Sequence, residues 1–67
     1  MSITQTIPAG TFLRRESALT EEFVIAVTDL EPGAEYATVR RFGGAPEFTW
    51  AEWTGNLVPC RFNAIAF

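Results

Sequence analysis

The sequence predicts a small antiparallel all-β fold, a barrel or sandwich of about five to six short strands. Turn signals recur at short spacing, at "IPAG" (7–10), "EPGAE" (31–35), "FGGAP" (42–46) and "TGN" (54–56). The runs between them are rich in β-branched and aromatic residues, which suit a pleated, half-buried surface. A chain of 67 residues has room for one core, so residues 1–67 form a single small β domain.

The strands are expected near 2–7, 11–16, 22–30, 36–42, 47–53 and 57–66. In the first, Ile3, Gln5 and Ile7 share one face, and Gln5 interrupts its apolar character. "TFLRRE" follows the "PAG" turn as the next strand. "SALTEE" is ambiguous, since Ser17 suits the cap of a short helical turn while the β-prone "FVIAV" follows at once. "FVIAV" is apolar at every position, the mark of a strand covered on both faces, either central or meeting another subunit. Pro32-Gly33 then makes a hairpin, because proline presets the first central turn angle and glycine tolerates the positive angle of the second. A loop from Glu31 to Glu35 sets Leu30 opposite Tyr36, Thr28 opposite Thr38 and Val24 opposite Phe42; a four-residue loop slips this register by one.

"APEFTWAEWTG" admits two readings. Pro46, Glu47 and Gly55 suit the start and stop of a helix, which would set Trp50 beside Trp53. The β propensity of Phe, Thr and Trp favours a strand, with Phe48, Trp50 and Glu52 on one face and Thr49, Ala51 and Trp53 on the other. "LVPCRFNAIAF" reads as a last strand with an apolar end, and Pro59 marks an edge, a bulge or a strand start.

Composition narrows the function. Apolar residues make up 48% of the chain and charged residues 19%, and nine residues are aromatic. So much apolar surface in so small a domain suggests that part of it is kept for a neighbour, most simply in a homo-oligomer. The single cysteine excludes an internal disulfide, and the absence of histidine excludes the common zinc sites. The net charge of −3, with every basic residue an arginine, argues against broad phosphate-backbone binding. "MSITQTIPAG" has neither a basic leader nor a long apolar stretch, and the longest wholly apolar run, "FVIAV", is far shorter than a membrane helix. A soluble, cytoplasmic chain is the expectation.

Catalysis needs a group that titrates or attacks near neutral pH. Without histidine or lysine, the candidates are carboxylates, Tyr36 and Cys60. Glu21 and Glu22 point to opposite faces of a strand and make no dyad; these acids, with Glu47 and Glu52, read as solvated surface charge. Cys60 reads as a small buried apolar residue. Gly43-Gly44 lacks the spacing and the lysine of a phosphate-binding loop and reads as a turn. The pairs Arg14-Arg15 and Arg40-Arg41 each send one arginine to either face of a strand, where glutamates can meet them.

The expectation is therefore a non-enzymatic protein-binding or assembly module, with no catalytic residue, metal or organic cofactor. Its partner is another protein or its own copies. Its size, turn rhythm and missing catalytic residues are of the kind seen among small phage and mobile-element proteins. One tryptophan anchors the core and the other lies at the contact surface, so the candidate binding residues are Trp50, Trp53, Phe48, Tyr36, Arg40 and Arg41. The alternative is a small β-barrel that binds single-stranded nucleic acid by stacking bases on the same aromatics and arginines.

Overall fold

A computed structural model of the chain describes residues 3–16 and 21–60. Five strands form one antiparallel sheet: β1 (Phe12–Glu16), β2 (Glu21–Ala26), β3 (Tyr36–Arg41), β4 (Thr49–Trp53) and β5 (Leu57–Pro59). Their order across the sheet is β4-β3-β2-β1-β5. The antiparallel all-β expectation holds, with β4 and β5 left as the two edges of an unclosed sheet.

Those two edges are nonetheless joined by a single 3₁₀ turn, Thr54–Asn56. Across a flat five-stranded sheet the edges would lie roughly 19 Å apart. Four residues of chain from Trp53 to Leu57 span at most about 14 Å. The sheet therefore curls, and its overall extents of 27 × 25 × 21 Å are those of a wrapped layer. Thr54 ties this corner down: its N–H donates to the Glu35 carbonyl at 2.9 Å and its hydroxyl to the Ala34 carbonyl at 2.8 Å.

The concave side holds the core. Leu13, Val24, Val39 and Leu57 are fully buried, joined by Ala26, Ala37, Ile3, Ile7 and Leu30. Each large aliphatic side chain removed from water here contributes about 1.5–3 kcal/mol. The "FVIAV" run lies in the central strand, as its composition implied. Val24 and Ala26 face the core, while Ile25 is buried on the opposite side between its cross-strand neighbours Phe12 and Arg40. Cover on both faces ends at Val27, which is exposed.

The turn at Pro32-Gly33 is as expected: Ala34 N–H donates to Glu31 O at 3.1 Å and Gly33 has φ 82°. That angle is open to glycine and costly for a residue with a side chain. The same construction closes the turns at Gly10 and Gly43.

The register and the outer limits of the strands differ from the sequence expectation. Ala26 pairs with Val39 and Val24 with Arg41, one residue away from the pairing of Val24 with Phe42. This is the register of the four-residue loop, although the connection itself runs from 27 to 35. Burial decides it. The observed pairing puts Val24, Ala26, Ala37 and Val39 on one concave face and releases Leu30 from the hairpin. Leu30 pairs instead with Ile7 through two backbone bonds of 2.8 Å, which brings both side chains into the core.

The strand expected at 2–7 is, among the described residues, only that one bridge. Ile3 and Ile7 are buried with exposed Gln5 between them, and Pro8 turns the chain at once. The last strand ends at Pro59, and the "AIAF" end of the expectation lies outside the described residues, as does the "SALT" segment. Cys60 is half-buried and not buried as expected.

Candidate functional site

The short strand β4 sorts the two tryptophans. Residues 49–53 are extended, so the strand reading of "FTWAEW" holds and the helical one fails. Trp50 and Glu52 point to the concave side opposite Val39 and Ala37, while Thr49, Ala51 and Trp53 point to the convex side opposite Arg40, Thr38 and Tyr36.

On the concave side Trp50 is half-buried against the core. Beside it Glu52 is buried, against the expectation of a solvated carboxylate. Its Oε1 accepts hydrogen bonds from Arg15 Nε and, at 3.3 Å, from Trp50 Nε1. Its Oε2 accepts from Asn56 Nδ2 and from the Trp53 backbone N–H, both at 3.1 Å. An ionised carboxylate offers about four lone-pair sites, and four donors fill them. Arg15 also reaches Glu22 at 3.2 Å, and Arg41 Nε meets the other oxygen of Glu22 at 2.9 Å. The Arg41 guanidinium stands 5.9 Å from the Trp50 ring centroid, within cation–π range.

The polar end of the concave face is thus one chain of contacts, Arg41–Glu22–Arg15–Glu52, closed by Trp50 and Asn56. Burial acts most strongly on the Glu52 carboxyl and pushes its pKa up. The hydrogen bonds from Arg15, Asn56 and Trp50 together outweigh burial and hold it below the ordinary 4.5. The hydrogen bond to Glu52 in turn raises the Arg15 pKa, despite some desolvation. A carboxylate held ionised with its lone pairs occupied is a poor general acid or base. Its work is to fix Trp50, the end of β4 and the 3₁₀ turn to one another.

The convex side is different. Tyr36 and Trp53 are direct cross-strand partners, exposed by 64% and 56%. The Trp53 ring lies against Gly55, so close that a Cβ at that position would stand 2.6 Å from ring carbons. Glycine there lets the indole rest on the backbone, which sets its direction without burying it. Arg40 lies on the same face opposite Thr49 and makes no ion pair among the described residues. Phe42 is exposed, with its ring edge-to-face on Phe12 at 5.5 Å. Arg14 pairs with Glu16 at 2.8 Å.

The structure therefore divides the six residues picked from the sequence. Trp50 and Arg41 belong to the concave network, and Tyr36, Arg40 and Trp53 share the convex face. Phe48 is exposed in the turn before β4, its N–H donating to Ala45 O at 3.1 Å. Of the residues that complete the network, Arg15 belongs to an arginine pair that the sequence sets against glutamates, and it meets Glu22 as expected; Glu52 and Asn56 have no such expectation. The inward parity shared by Trp50 and Glu52 was the one sequence signal that could have found Glu52.

Fold and site together define a small curled antiparallel β domain with an internally satisfied polar cluster on one side and exposed aromatics on the other. Comparison of the chain with protein families, with curated proteins and with solved structures finds no match. Among the described residues no helix is long and apolar enough to cross a membrane.

Proposed function

We propose that this chain is a small non-enzymatic protein-binding or assembly module whose contact surface is the convex face of β3 and β4. The observation that carries the reading is the pairing of Tyr36 with Trp53, two large aromatics side by side and more than half exposed in so small a chain. Tyrosine, tryptophan and arginine supply most hot spots at protein interfaces, and Arg40 lies on the same face. An indole already rested on Gly55 loses little freedom on binding, which favours affinity. The reading takes the module to be cytoplasmic, in keeping with a chain whose single cysteine, Cys60, cannot form an internal disulfide.

A single-stranded nucleic acid would need a basic track beside the aromatics. Three of the four described arginines, Arg14, Arg15 and Arg41, are engaged with glutamates, which favours a protein partner. The test is capture from host lysate with wild-type and Trp53→Ser baits, with and without nuclease, across a salt series. The reading expects a protein that survives nuclease and moderate salt and is lost with Trp53→Ser. A complex that disappears with nuclease and weakens steeply with salt overturns it.

A further inference from the structure

We infer that the free edge of β4 pairs antiparallel with the same edge of a second copy, about a two-fold axis at Trp50. Thr49 then lies opposite Ala51 of the partner, and Ala51 opposite its Thr49. The contact is made edge to edge by backbone hydrogen bonds and leaves both faces of the sheet open. It therefore stands apart from the convex-face contact surface proposed above.

The hydrogen-bond pattern shows which groups that edge offers. In an antiparallel pair, bonded and non-bonded partners alternate along the ladder. Thr54 N–H donates to Glu35 O at 2.9 Å, in register with the pairing of β3 and β4. The bonded partners that follow are therefore Ala37 with Glu52 and Val39 with Trp50. Val27 N–H donates to Thr38 O at 2.9 Å, so Thr38 turns its backbone to β2 and away from β4. Thr49, Ala51 and Trp53 consequently turn their backbone groups to the free edge. Trp53 is already engaged: its N–H is capped by Glu52 Oε2 at 3.1 Å, and as N-cap its carbonyl accepts the first bond of the 3₁₀ turn. Thr49 and Ala51 are exposed, and their outward groups have no partner among the described residues.

The two edges of the sheet are not alike. β5 is three residues long and ends in Pro59, which has no N–H to offer. β4 contains no proline, and its one charged residue, Glu52, is buried in an ion pair. Sheets guard a solvent-facing edge with proline or exposed charge, and an unguarded apolar edge recruits another strand. The open stretch matches its own copy. Reversed by a two-fold axis at Trp50, Thr49 and Ala51 meet each other, and both are bonded pairs that exchange two bonds each. Centred on Ala51, the pairing would need the Trp53 N–H, which is capped. Centred on Thr49, it would need Glu47, which lies in the turn before β4. One register alone uses the open groups of both copies. Its side chains agree: the small Thr49 and Ala51 face one another, Trp50 meets Trp50 across a non-bonded pair, and no like charges are opposed. The contact is isologous and closes at two copies.

The test is amide hydrogen exchange of the full chain, concentrated to high micromolar and then diluted, beside light scattering. The expected result is a dimer whose Thr49 and Ala51 amides are protected when concentrated and exchange faster on dilution. Ala51→Pro removes an outward N–H without touching the bonds between β3 and β4, and should be monomeric with an unchanged circular dichroism spectrum. Thr49→Lys combined with Ala51→Lys opposes lysines twice and should dimerise roughly tenfold more weakly, as should Thr49→Glu combined with Ala51→Glu. Mixed in equal amounts, the lysine and glutamate variants should form a heterodimer. A monomeric wild type overturns the inference. So does a dimer whose Thr49 and Ala51 amides exchange as fast as in dilute protein, and so does a mixture that fails to pair. Capture of a different protein that depends on Trp53 tests the convex face separately, and it can succeed where the edge pairing fails.

Discussion

Trp50 and Trp53 are three residues apart on one strand and lead opposite lives. Trp50 turns inward, donates its indole N–H to Glu52, carries Arg41 over its ring and packs on the core. Trp53 turns outward, touches the backbone at Gly55 and leaves more than half its surface open. The same side chain on the same element is a structural part in one case and an exposed ring, the anchor of the proposed contact surface, in the other. The difference is strand parity together with what the neighbouring strands bring to each side.

The largest effect should come from emptying the concave side of its carboxylate. Glu52→Ala leaves Arg15, Trp50 Nε1 and Asn56 short of an acceptor. Breaking a fully buried ion pair costs about 3–5 kcal/mol. Arg15 keeps 26% of its side chain exposed, so the expected loss is nearer 2–3 kcal/mol. Urea unfolding measures it, and a loss under about 0.5 kcal/mol, the size of an ordinary surface change, would mean that the network is idle. The convex face should scarcely notice: Trp53→Ser is its counterpart and should cost stability little.

Acid should reproduce part of the Glu52 effect without a mutation. The folded pKa of this group lies below its ordinary value of 4.5. Its contribution is therefore complete above 4.5 and is lost as pH falls below it through the folded pKa. Thermal unfolding of wild type and Glu52→Gln should show a gap that is constant from neutral pH down to about 5 and narrows below 4.5. A gap that widens on acidification would reverse the assigned sign.

A smaller and more selective change is Gly55→Ala. The new Cβ meets the far edge of the indole, which can swing away, so stability should fall by no more than about 1 kcal/mol. Trp53 would nevertheless lose its seat. Its fluorescence should shift and association through the convex face should weaken, while Trp50 and the core stay as they were. Association unchanged by Gly55→Ala would separate the orientation of Trp53 from binding.

Much of this contrast was legible before any coordinates. Period-two alternation placed Trp50 with Glu52 and Trp53 with Ala51, and the proline-glycine and glycine-glycine pairs marked the turns. The register of β2 on β3 was misread because local pattern rewarded Leu30 opposite Tyr36, while the fold rewards Leu30 opposite Ile7, more than twenty residues earlier. Glu52 was misread for a similar reason. A glutamate between aromatics looks like a surface residue until Arg15, 37 positions earlier, is carried to it by the β1–β5 pairing and the curl of the sheet. Turn chemistry and parity are local and readable; partners brought together by curvature are not.

The division between the two tryptophans is tested most directly by equilibrium unfolding of Trp50→Ala and Trp53→Ser side by side, in protein dilute enough that association adds nothing. The expected result is a loss of about 2–3 kcal/mol for Trp50→Ala, less than a fully buried tryptophan would give, and a change within about 0.5 kcal/mol for Trp53→Ser. Equal and large losses for the two variants would contradict it, for Trp53 would then be part of the core and the convex face would have no anchor.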